Sequence, residues 1–474
     1  MSQLTNRDKI ISTANKLRWE LGDNLYDALM ETIYENASEI SSKVIIYSDK
    51  KPPFNLDRYL DKILTSKYFG IPIMFLMLFI VFWLTISGAN YPSSLLSLFL
   101  VDKVHPFLRE VLLSLNLPEW FVGVFIDGAY LSTAWVVSVM LPPMAIFFPL
   151  FTLLEDFGYL PRVAFNLDSI YKKAGAHGKQ ALTMAMGFGC NAAGVISTRI
   201  IDSPRERLLA IITNNFSLCN GRWPTQILIA TIFIGTLVPP YLAGIFSAGA
   251  VIFVAILGIA LSLIVSFFLS KTLLKGEVST FSLELPPYRP PRIMQTIYTS
   301  LINKTIFVLW RAIVFAFPAG IVIWTISNIT IQDNSIANHI ISMLNPLGLF
   351  LGLNGVILLA YIIAIPANEL IIPTILMLTV SYLGMNEFSA GSGVLFELES
   401  VEDISNILRA NGWTLLTGIN LMIFSLLHNP CSTTIFTIFK ETKSLKWTVI
   451  STFLPIIIGL SLTFLITRIW SLFN

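Results

Sequence analysis

The sequence predicts an all-α fold, a polytopic bundle of transmembrane helices in two halves that contain broken or re-entrant helices. Of its 474 residues, 54% are hydrophobic and only 13% are charged, whereas about a quarter of the residues of a soluble protein are charged. A helix of about 20 apolar residues crosses a bilayer, and four nearly unbroken runs meet that length: residues 70–87, 250–270, 306–327 and 448–467. Other apolar runs are interrupted by Gly, Pro, Asn and Cys.

The first 68 residues are predicted to be a cytoplasmic, amphipathic helical lead-in. They hold ten of the 31 Lys and Arg residues, and basic residues mark the cytoplasmic side of a membrane protein. No secretory signal peptide opens the chain, so we expect a multi-pass protein of the cytoplasmic (inner) membrane with its N-terminus inside. The apolar residues at roughly helical spacing are Trp19, Leu21, Leu25, Leu29 and Ile33.

Residues 69–270 form the predicted first membrane half. Residues 70–87 cross outward, a loop follows to residue 120, and residues 121–154 return with kinks or a break at Pro142, Pro143 and Pro149. Basic residues flank residues 181–198 on both sides, which predicts a re-entrant hairpin that turns near residues 187–191. Residues 208–238 then cross with a break at 215–224, and residues 250–270 come back.

Residues 271–303 are a Pro-rich, basic linker that is predicted to be cytoplasmic, and residues 304–474 form the second half. After the span 306–327 we expect an outer loop at 328–345, a helix at 349–383 interrupted at 365–369 and at Pro373, and an outer acidic stretch at 386–403. Residues 413–439 re-enter through a break at 428–431, and residues 448–467 are the last span. Matching interruptions in tandem halves point to a binding site at their interface.

The three cysteines fall in these interruptions. Cys190, Cys219 and Cys431 each have an asparagine nearby, namely Asn191, Asn220 and Asn429. A thiol is a soft ligand that suits iron, copper and zinc, and irregular backbone at membrane depth lines wet cavities. The alternative for each cysteine is a small buried hydrophobe.

Glu369 is the strongest ionisable candidate, since a charge inside a span costs roughly 2.5–3.5 kcal/mol and is a functional hypothesis by default. It could neutralise a permeating cation or carry a proton; alternatively it caps the broken helix after Pro366. Glu155 and Asp156 end a span as supporting candidates, where they either cap a helix or lie in headgroup water.

Arg222 and Asp127 are candidates for a pair within the bundle. His177 and His428 could bind a metal, although a lone histidine is more often a hydrogen-bonded structural residue. We retain His428 as a possible ligand because it lies three residues before Cys431.

Several classes of function are excluded by pattern. The 474 residues contain no GxxxxGK[ST] phosphate loop, GxSxG, HExxH or CxxC motif. The net charge of +2 offers no basic patch for nucleic acid. We therefore expect no enzymatic activity, no nucleotide site in this chain and no nucleic-acid partner.

Several motifs resemble the membrane domain of FeoB, the family of prokaryotic ferrous iron transporters, from about residue 55 onward. They are LLEDFGYLPRVAFNLD (153–168), GAHGK (175–179), GFGCNAAGVISTR (187–199), SPRERLL (203–209), CNGRWP (219–224) and NPCSTTIFTIFKETKSLKW (429–447). The resemblance implies two Gate-type repeats and import of Fe²⁺, which is the substrate and not a permanently bound cofactor. All three cysteines fall on cysteine positions of the family.

The sequence departs from the family in three places. Family members usually begin with a GTP-binding domain and a helical domain, and residues 1–68 resemble at most the tail of the latter. The resemblance therefore implies a separate GTP-binding protein that docks on the cytoplasmic side, with a FeoA-like accessory protein as a further partner. The usual Ala-Lys-Glu reads Ala367-Asn368-Glu369, and His428-Asn429 replaces an aromatic residue, which leaves open a preference for Mn²⁺ or Zn²⁺.

Two other functions remain open. Gate repeats also resemble those of nucleoside carriers, so the chain could be a permease for an organic solute. It could also be a membrane scaffold that transports nothing, like Gate-repeat proteins of sporulation.

Overall fold

The computed structural model of the chain describes residues 25–44, 56–66, 68–275, 288, 292–331, 334–385, 395 and 400–473. Trp19 and Leu21 of the predicted lead-in, residues 276–287 and 289–291 of the 271–303 linker, and most of the acidic 386–403 stretch lie outside these residues. Within them, six helical segments are long and apolar enough to cross a membrane, or seven if one bent pair counts as a span. The six are Gly70–Ser114, Glu119–Asp156, Pro240–Lys271, Phe307–Asn328, Leu415–Thr442 and Leu445–Phe473.

The first long helix extends well past its predicted end. After α1 (Leu25–Val44) and α2 (Leu56–Leu64), α3 (Gly70–Ser97) continues through a π-helical stretch, Leu98–Val104, into α4 (His105–Ser114). The predicted loop from residue 88 to residue 120 is therefore wrong over most of its length. The scarcity of Lys and Arg there is a topological signal only, and the Leu-rich sequence has high helix propensity.

The second long helix passes through all its prolines. It runs from α5 (Glu119–Val122) through a π-helical stretch, Gly123–Tyr130, into α6 (Leu131–Asp156), which contains Pro142, Pro143 and Pro149. No break occurs, contrary to one of the two predicted outcomes. The π-helical stretch packs closely on a later helix, since a Cβ on Gly128 would meet the Gly320 carbonyl, and small residues permit such crossings.

Short helices build the rest of the first half. They are α7 (Tyr159–Lys173), α8 (Lys179–Gly189), α9 (Asn191–Ser197), α10 (Pro204–Thr213) and α11 (Trp223–Ile229), followed by the long α12 (Pro240–Lys271). Single 3₁₀ turns lie at Thr198–Ile200, Asn214–Phe216, Asn220–Arg222 and Gly235–Leu237, and a π-helical stretch lies at Ala230–Ile234.

The second half begins with α13 (Ile293–Ser300), a π-helical stretch (Leu301–Ile306) and α14 (Phe307–Asn328). A two-residue antiparallel hairpin, β1 (Thr330–Ile331) and β2 (Asn334–Ser335), then leads into α15 (Ile336–Phe350) and α16 (Gly355–Ile363), which meet at 112°. The predicted outer loop at 328–345 is thus largely helix, because Ser335 caps α15 by accepting from the Asn338 N–H. The remaining elements are a 3₁₀ turn (Asn368–Leu370), α17 (Ile371–Leu383), α18 (Val401–Ala410), α19 (Leu415–Leu427), α20 (Ser432–Thr442) and α21 (Leu445–Phe473).

The predicted interruptions are confirmed, and they match between the halves in backbone conformation. Cys190, between α8 and α9, has φ −151° and ψ 120°, and Ala367, before the 3₁₀ turn of the second half, has φ −150° and ψ 123°. Cys219, in the second break of the first half, has φ −76° and ψ 166°, close to the φ −62° and ψ 157° of Cys431. The two halves therefore share a structural repeat of their helix breaks that is only weakly visible as sequence similarity between them.

Helices α9 and α20, which both begin directly after a cysteine, are joined at their far ends. Arg199 Nε and Arg207 Nη2 donate to Glu441 Oε2 at 3.0 and 2.8 Å. The Glu441 side chain is only 5% exposed, whereas those of Arg199 and Arg207 are 59% and 32% exposed, so this ion cluster joins the two halves at the edge of the protein surface.

Candidate functional site

All four helix breaks line one small cavity, which we call the thiol cavity. Its volume is ≈ 40 Å³, enough for about three water-sized groups. Its lining includes Cys190 and Asn191 from the first break, Cys219, Asn220 and Gly221 from the second, Pro366, Ala367, Asn368 and Glu369 from the third, and Cys431, Thr433 and Thr434 from the fourth. Chain segments separated by up to about half of the sequence thus bring all three sulfurs and one carboxylate to one place.

Each sulfur has polar surroundings. Cys431 Sγ lies 3.2 Å from Thr434 Oγ1, and the Asn368 side-chain amide donates to Cys219 Sγ at 3.5 Å. The backbone carbonyl of Asn191 accepts from the Asn214 amide at 2.9 Å, whereas Asn191 Oδ1 is buried with no hydrogen-bond partner among the described residues. A buried oxygen without a partner beside a cavity is a position where a ligand would satisfy it.

His428 lies behind the cavity wall. Its Nε2 is 3.0 Å from Asn368 Oδ1 and its Nδ1 is 2.8 Å from the Ser425 carbonyl oxygen. Both ring nitrogens face acceptor oxygens of the protein, to one of which a neutral imidazole donates its single N–H, and the residue is 2% exposed. In this conformation His428 positions Asn368 and presents no free nitrogen to the cavity.

Glu369 lies at the edge of the thiol cavity. It is the middle residue of the 3₁₀ turn Asn368–Leu370, and its carboxylate packs against the Cα of Gly221, where a Cβ would collide with it. The carboxylate is also hydrogen-bonded to the backbone of Glu369 itself. Glu369 therefore lines the cavity and also helps to satisfy the start of this turn, and both the ion-neutralising and the capping interpretations stay predictions.

Arg222 does not pair with Asp127, so that prediction is wrong. Its guanidinium is fully buried and spans two breaks: Nη1 donates to the carbonyls of Asn215 and Leu426, and Nη2 to those of His428 and Asn429. Carbonyls at a helix C-terminus attract cations, and here they belong to the end of α19. Asp127 instead accepts from His105 Nε2 at 2.8 Å and from Arg109 Nε at 3.4 Å.

Two larger cavities flank the thiol cavity along α6. The upper cavity, ≈ 500 Å³, includes Trp135 and Val139 of α6 in its wall, and the lower cavity, ≈ 410 Å³, includes Phe148, Phe151 and Glu155. Met140 and Met144 of the same helix line the thiol cavity between them. From Trp135 to Glu155 the helix rises roughly 30 Å at 1.5 Å per residue, which is about the thickness of the hydrocarbon core of a bilayer.

The partitions between the cavities differ in character. Asn220, Gly221, Asn368 and Glu369 line both the upper and the thiol cavity. Val308 lines both the thiol and the lower cavity. The upper partition is therefore polar and charged, and the lower one is apolar.

The two acidic residues at the end of α6 have separate surroundings. Glu155 lines the lower cavity with Lys179 and Ser197. Asp156 Oδ2 accepts from Thr296 Oγ1 at 2.6 Å, which joins α6 to α13. Only Glu155 is placed to meet a permeating ion.

His177 serves as a local cap, because its Nδ1 accepts from the Lys179 N–H at 3.0 Å at the start of α8. Sequence reasoning missed Gly221 and Val308 as lining residues and weighted Asn368 only as a departure from a motif. Gly221 carries a usable signal, since glycine beside a cysteine in a broken helix permits close approach of another chain segment. Val308 carries none, because it resembles any other valine of an apolar span.

The lining is open and does not form a closed coordination shell. Among the residues that the structure describes, no three His, Cys, Asp or Glu side chains are close enough to hold a metal ion together. Sulfur, amide and carboxylate groups therefore share one wall without forming a ready-made set of metal ligands.

Two family models match the chain. The Gate model, described as "Nucleoside recognition", matches residues 137–234, and the model described as "Ferrous iron transport protein B C terminus" matches residues 251–302. The Gate match covers α9, the first two breaks and most of α6. No solved structure matches the chain.

Curated relatives match over most of the chain. A protein of Staphylococcus aureus (strain COL) named "Fe(2+) transporter FeoB" is 28% identical over 478 residues, which are 98% of this chain and 67% of that protein. A Synechocystis protein of the same name is 30% identical over 88% of this chain and 63% of its own length. A Porphyromonas gingivalis "Fe(2+) transport protein A/Fe(2+) transporter FeoB fusion protein" is 26% identical over 87% of this chain and 51% of its own length. The chain thus spans about half to two thirds of these relatives.

Proposed function

We propose that this chain, whose membrane domain belongs to the FeoB family, conducts Fe²⁺ across the cytoplasmic membrane into the cell. One observation carries the proposal: the four helix breaks bring Cys190, Cys219, Cys431 and Glu369 to a single cavity between two larger ones. Relatives named Fe²⁺ transporters support the choice of ion.

The sizes of the cavities suggest how an ion would pass. A divalent cation with its octahedral water shell fits the upper cavity but not the ≈ 40 Å³ thiol cavity. It must therefore lose water at the partition, where Glu369 and the amides of Asn220 and Asn368 offer oxygen. Sulfur then replaces water, which favours Fe²⁺ over Mg²⁺ or Ca²⁺ because thiols are softer ligands. Glu155 then receives the ion in the lower cavity. We place this cavity on the cytoplasmic side, because the adjoining loops are rich in basic residues.

The test is uptake of labelled Fe²⁺ into proteoliposomes, compared with Mn²⁺, Zn²⁺ and Mg²⁺. We expect Cys190→Ser, Cys219→Ser and Cys431→Ser each to lower Fe²⁺ uptake at least 10-fold, since oxygen is a harder ligand. The matched control is Met343→Leu, which removes the sulfur of an 83% exposed side chain and should leave uptake unchanged. Full uptake by all three serine variants would contradict the proposal.

The organic-solute alternative has one observation in its favour, the description of the Gate model as nucleoside recognition. Labelled uridine is therefore included in the same vesicles. Uptake of uridine without Fe²⁺ would support that alternative, and uptake of neither solute would support the scaffold. A lining of three thiols is unusual for a nucleoside site, which is commonly built on hydrogen bonds and apolar contacts.

A separate GTP-binding protein is the proposed cytoplasmic partner, with α1 as its dock. Ile33, Ile40 and Val44 of α1 are 51–72% exposed, and apolar side chains on a helix in water mark an interaction surface. The deletion that tests this should stop at residue 44. Asp61 of α2 accepts from the buried Arg162 at 3.0 Å, so removal of α2 would also destabilise the membrane part.

Co-purification of the partner should be lost on deletion of residues 1–44, while the protein stays monodisperse in detergent. Retention of the partner would contradict the dock. The fusion relative from Porphyromonas gingivalis supports a FeoA-like accessory protein as a second partner, which the same co-purification would detect.

A further inference from the structure

The partition between the upper and thiol cavities includes a close contact between the carboxylate of Glu369 and the backbone of Gly221. Glu369 and Gly221 line both cavities, while Cys219, two residues before Gly221, lines only the thiol cavity. Contact between the Glu369 carboxylate and the Gly221 backbone is so close that a Cβ on Gly221 would collide with Cδ and one carboxylate oxygen and lie tightly against the other. The two segments therefore close on each other at this point.

Residues on both sides hold this contact in place. On one side, the Asn368 amide contacts Cys219 Sγ at 3.5 Å, and His428 fixes the Asn368 oxygen at 3.0 Å. On the other side, Arg222 follows Gly221 directly and is hydrogen-bonded to four backbone carbonyls. The Glu369 carboxylate is hydrogen-bonded to its own backbone and its side chain has rotatable bonds, so it is the part of this contact that can move.

We propose that the Glu369 side chain seated on Gly221 is the barrier between the upper cavity and the thiol cavity. A reagent or ion that comes from the upper side reaches Cys219 only when the carboxylate leaves Gly221. The same group is then the first full charge that a divalent cation meets and the one that it must draw aside. The role in ion passage rests on the proposed function, whereas the barrier itself does not.

The barrier is tested by the labelling rate of Cys219 with a membrane-impermeant maleimide added from the upper side. Cys190→Ser and Cys431→Ser are combined first, so that Cys219 is the one thiol left among the chain's three cysteines. In this background we expect slow labelling. Glu369→Ala removes the side chain and should raise the rate at least 10-fold, and Gly221→Ala should do the same by displacing the carboxylate.

Two controls separate this barrier from general loosening. Gly244→Ala adds a methyl group where no atom lies within 4 Å and should leave the rate unchanged. Glu369→Gln keeps the size of the side chain without its charge and should keep labelling slow. Fast labelling of the background, or rates in Glu369→Ala no higher than in Gly244→Ala, would overturn the proposal; Glu369→Ala decides the matter if Gly221→Ala does not fold.

The result is independent of transport activity. If Glu369→Ala speeds labelling but vesicles with intact cysteines take up no Fe²⁺, the barrier stands and the proposed function fails. If Fe²⁺ uptake depends on the cysteines but labelling is insensitive to Glu369→Ala, the proposed function stands and the barrier is elsewhere.

Discussion

Replacement of Arg222 by glutamine is expected to destabilise the protein more than any comparable surface change. The guanidinium donates to four backbone carbonyls, two at 3.3 Å around the Pro430 break, one at 2.8 Å at the end of α19 and one at 3.3 Å from Asn215, in the 3₁₀ turn before the second break. A glutamine amide carries two N–H groups, so at least two of these buried carbonyls lose their partner. Each costs about 1–3 kcal/mol, which predicts a loss of roughly 2–6 kcal/mol out of the 5–15 kcal/mol typical of a folded protein.

The measurement is urea-induced unfolding in one mild detergent, followed by tryptophan fluorescence. Arg222→Lys keeps the charge with three donors and should lie between the unchanged protein and Arg222→Gln. Arg409→Gln is the matched control, because Arg409 Nη2 donates to one carbonyl, that of Ile232 at 3.4 Å, near the surface; we expect a change of about 1 kcal/mol or less. Equal unfolding midpoints for Arg222→Gln and Arg409→Gln would show that the guanidinium does not hold the two breaks together.

Two further substitutions test the contact of α9 with Asn214 and the ion cluster at Glu441. Gly194→Ala in α9 places a methyl group on the Asn214 side chain and should cost about 1–3 kcal/mol through overpacking; its control is Gly244→Ala, which meets no atom, and equal yields of monodisperse protein would contradict the contact. Glu441→Gln removes the charge shared by two arginines and should cost about 2 kcal/mol in the same urea experiment. Glu402→Gln on the exposed face of α18 is its control, and a midpoint no lower than that of the control would refute a stabilising ion cluster.

The sequence predicted the helix breaks well because each one has a local cause. Glycine, proline and asparagine within an apolar run disturb a helix wherever the chain lies. The structure accordingly shows breaks at Cys190, at residues 217–222, at 364–367 and at 428–431. The 112° bend at residues 351–354 was not predicted, and the interruption expected at Pro373 is wrong, because proline fits the first turn of α17. The all-α fold followed from apolar length alone.

Features that depend on distant partners could not be predicted. Arg222 was expected to pair with an acidic side chain, whereas its hydrogen-bond acceptors are backbone carbonyls up to 207 residues away. The contact of Glu369 with Gly221 likewise joins the two halves, and the sequence around neither residue indicates it. Residues 88–114 were wrongly predicted to be a loop for another reason. The scarcity of Lys and Arg indicates on which side of the membrane a segment lies, but it does not indicate whether the segment is helical. Metal binding by the three cysteines, Asn191 and Glu369 stays a prediction, as do the domain boundaries.

The matched backbone of Cys190 and Ala367 has a chemical consequence. The two breaks of each half give the cavity four lining positions in two matched pairs, Cys190 with Ala367 and Cys219 with Cys431. Sulfur occupies three of these positions, and Ala367 places a methyl group at the fourth. Four thiolates around a late transition metal make a tetrahedral structural centre that holds zinc as part of the fold. With three sulfurs the lining stays short of that closed set, as the proposed passage of an ion requires.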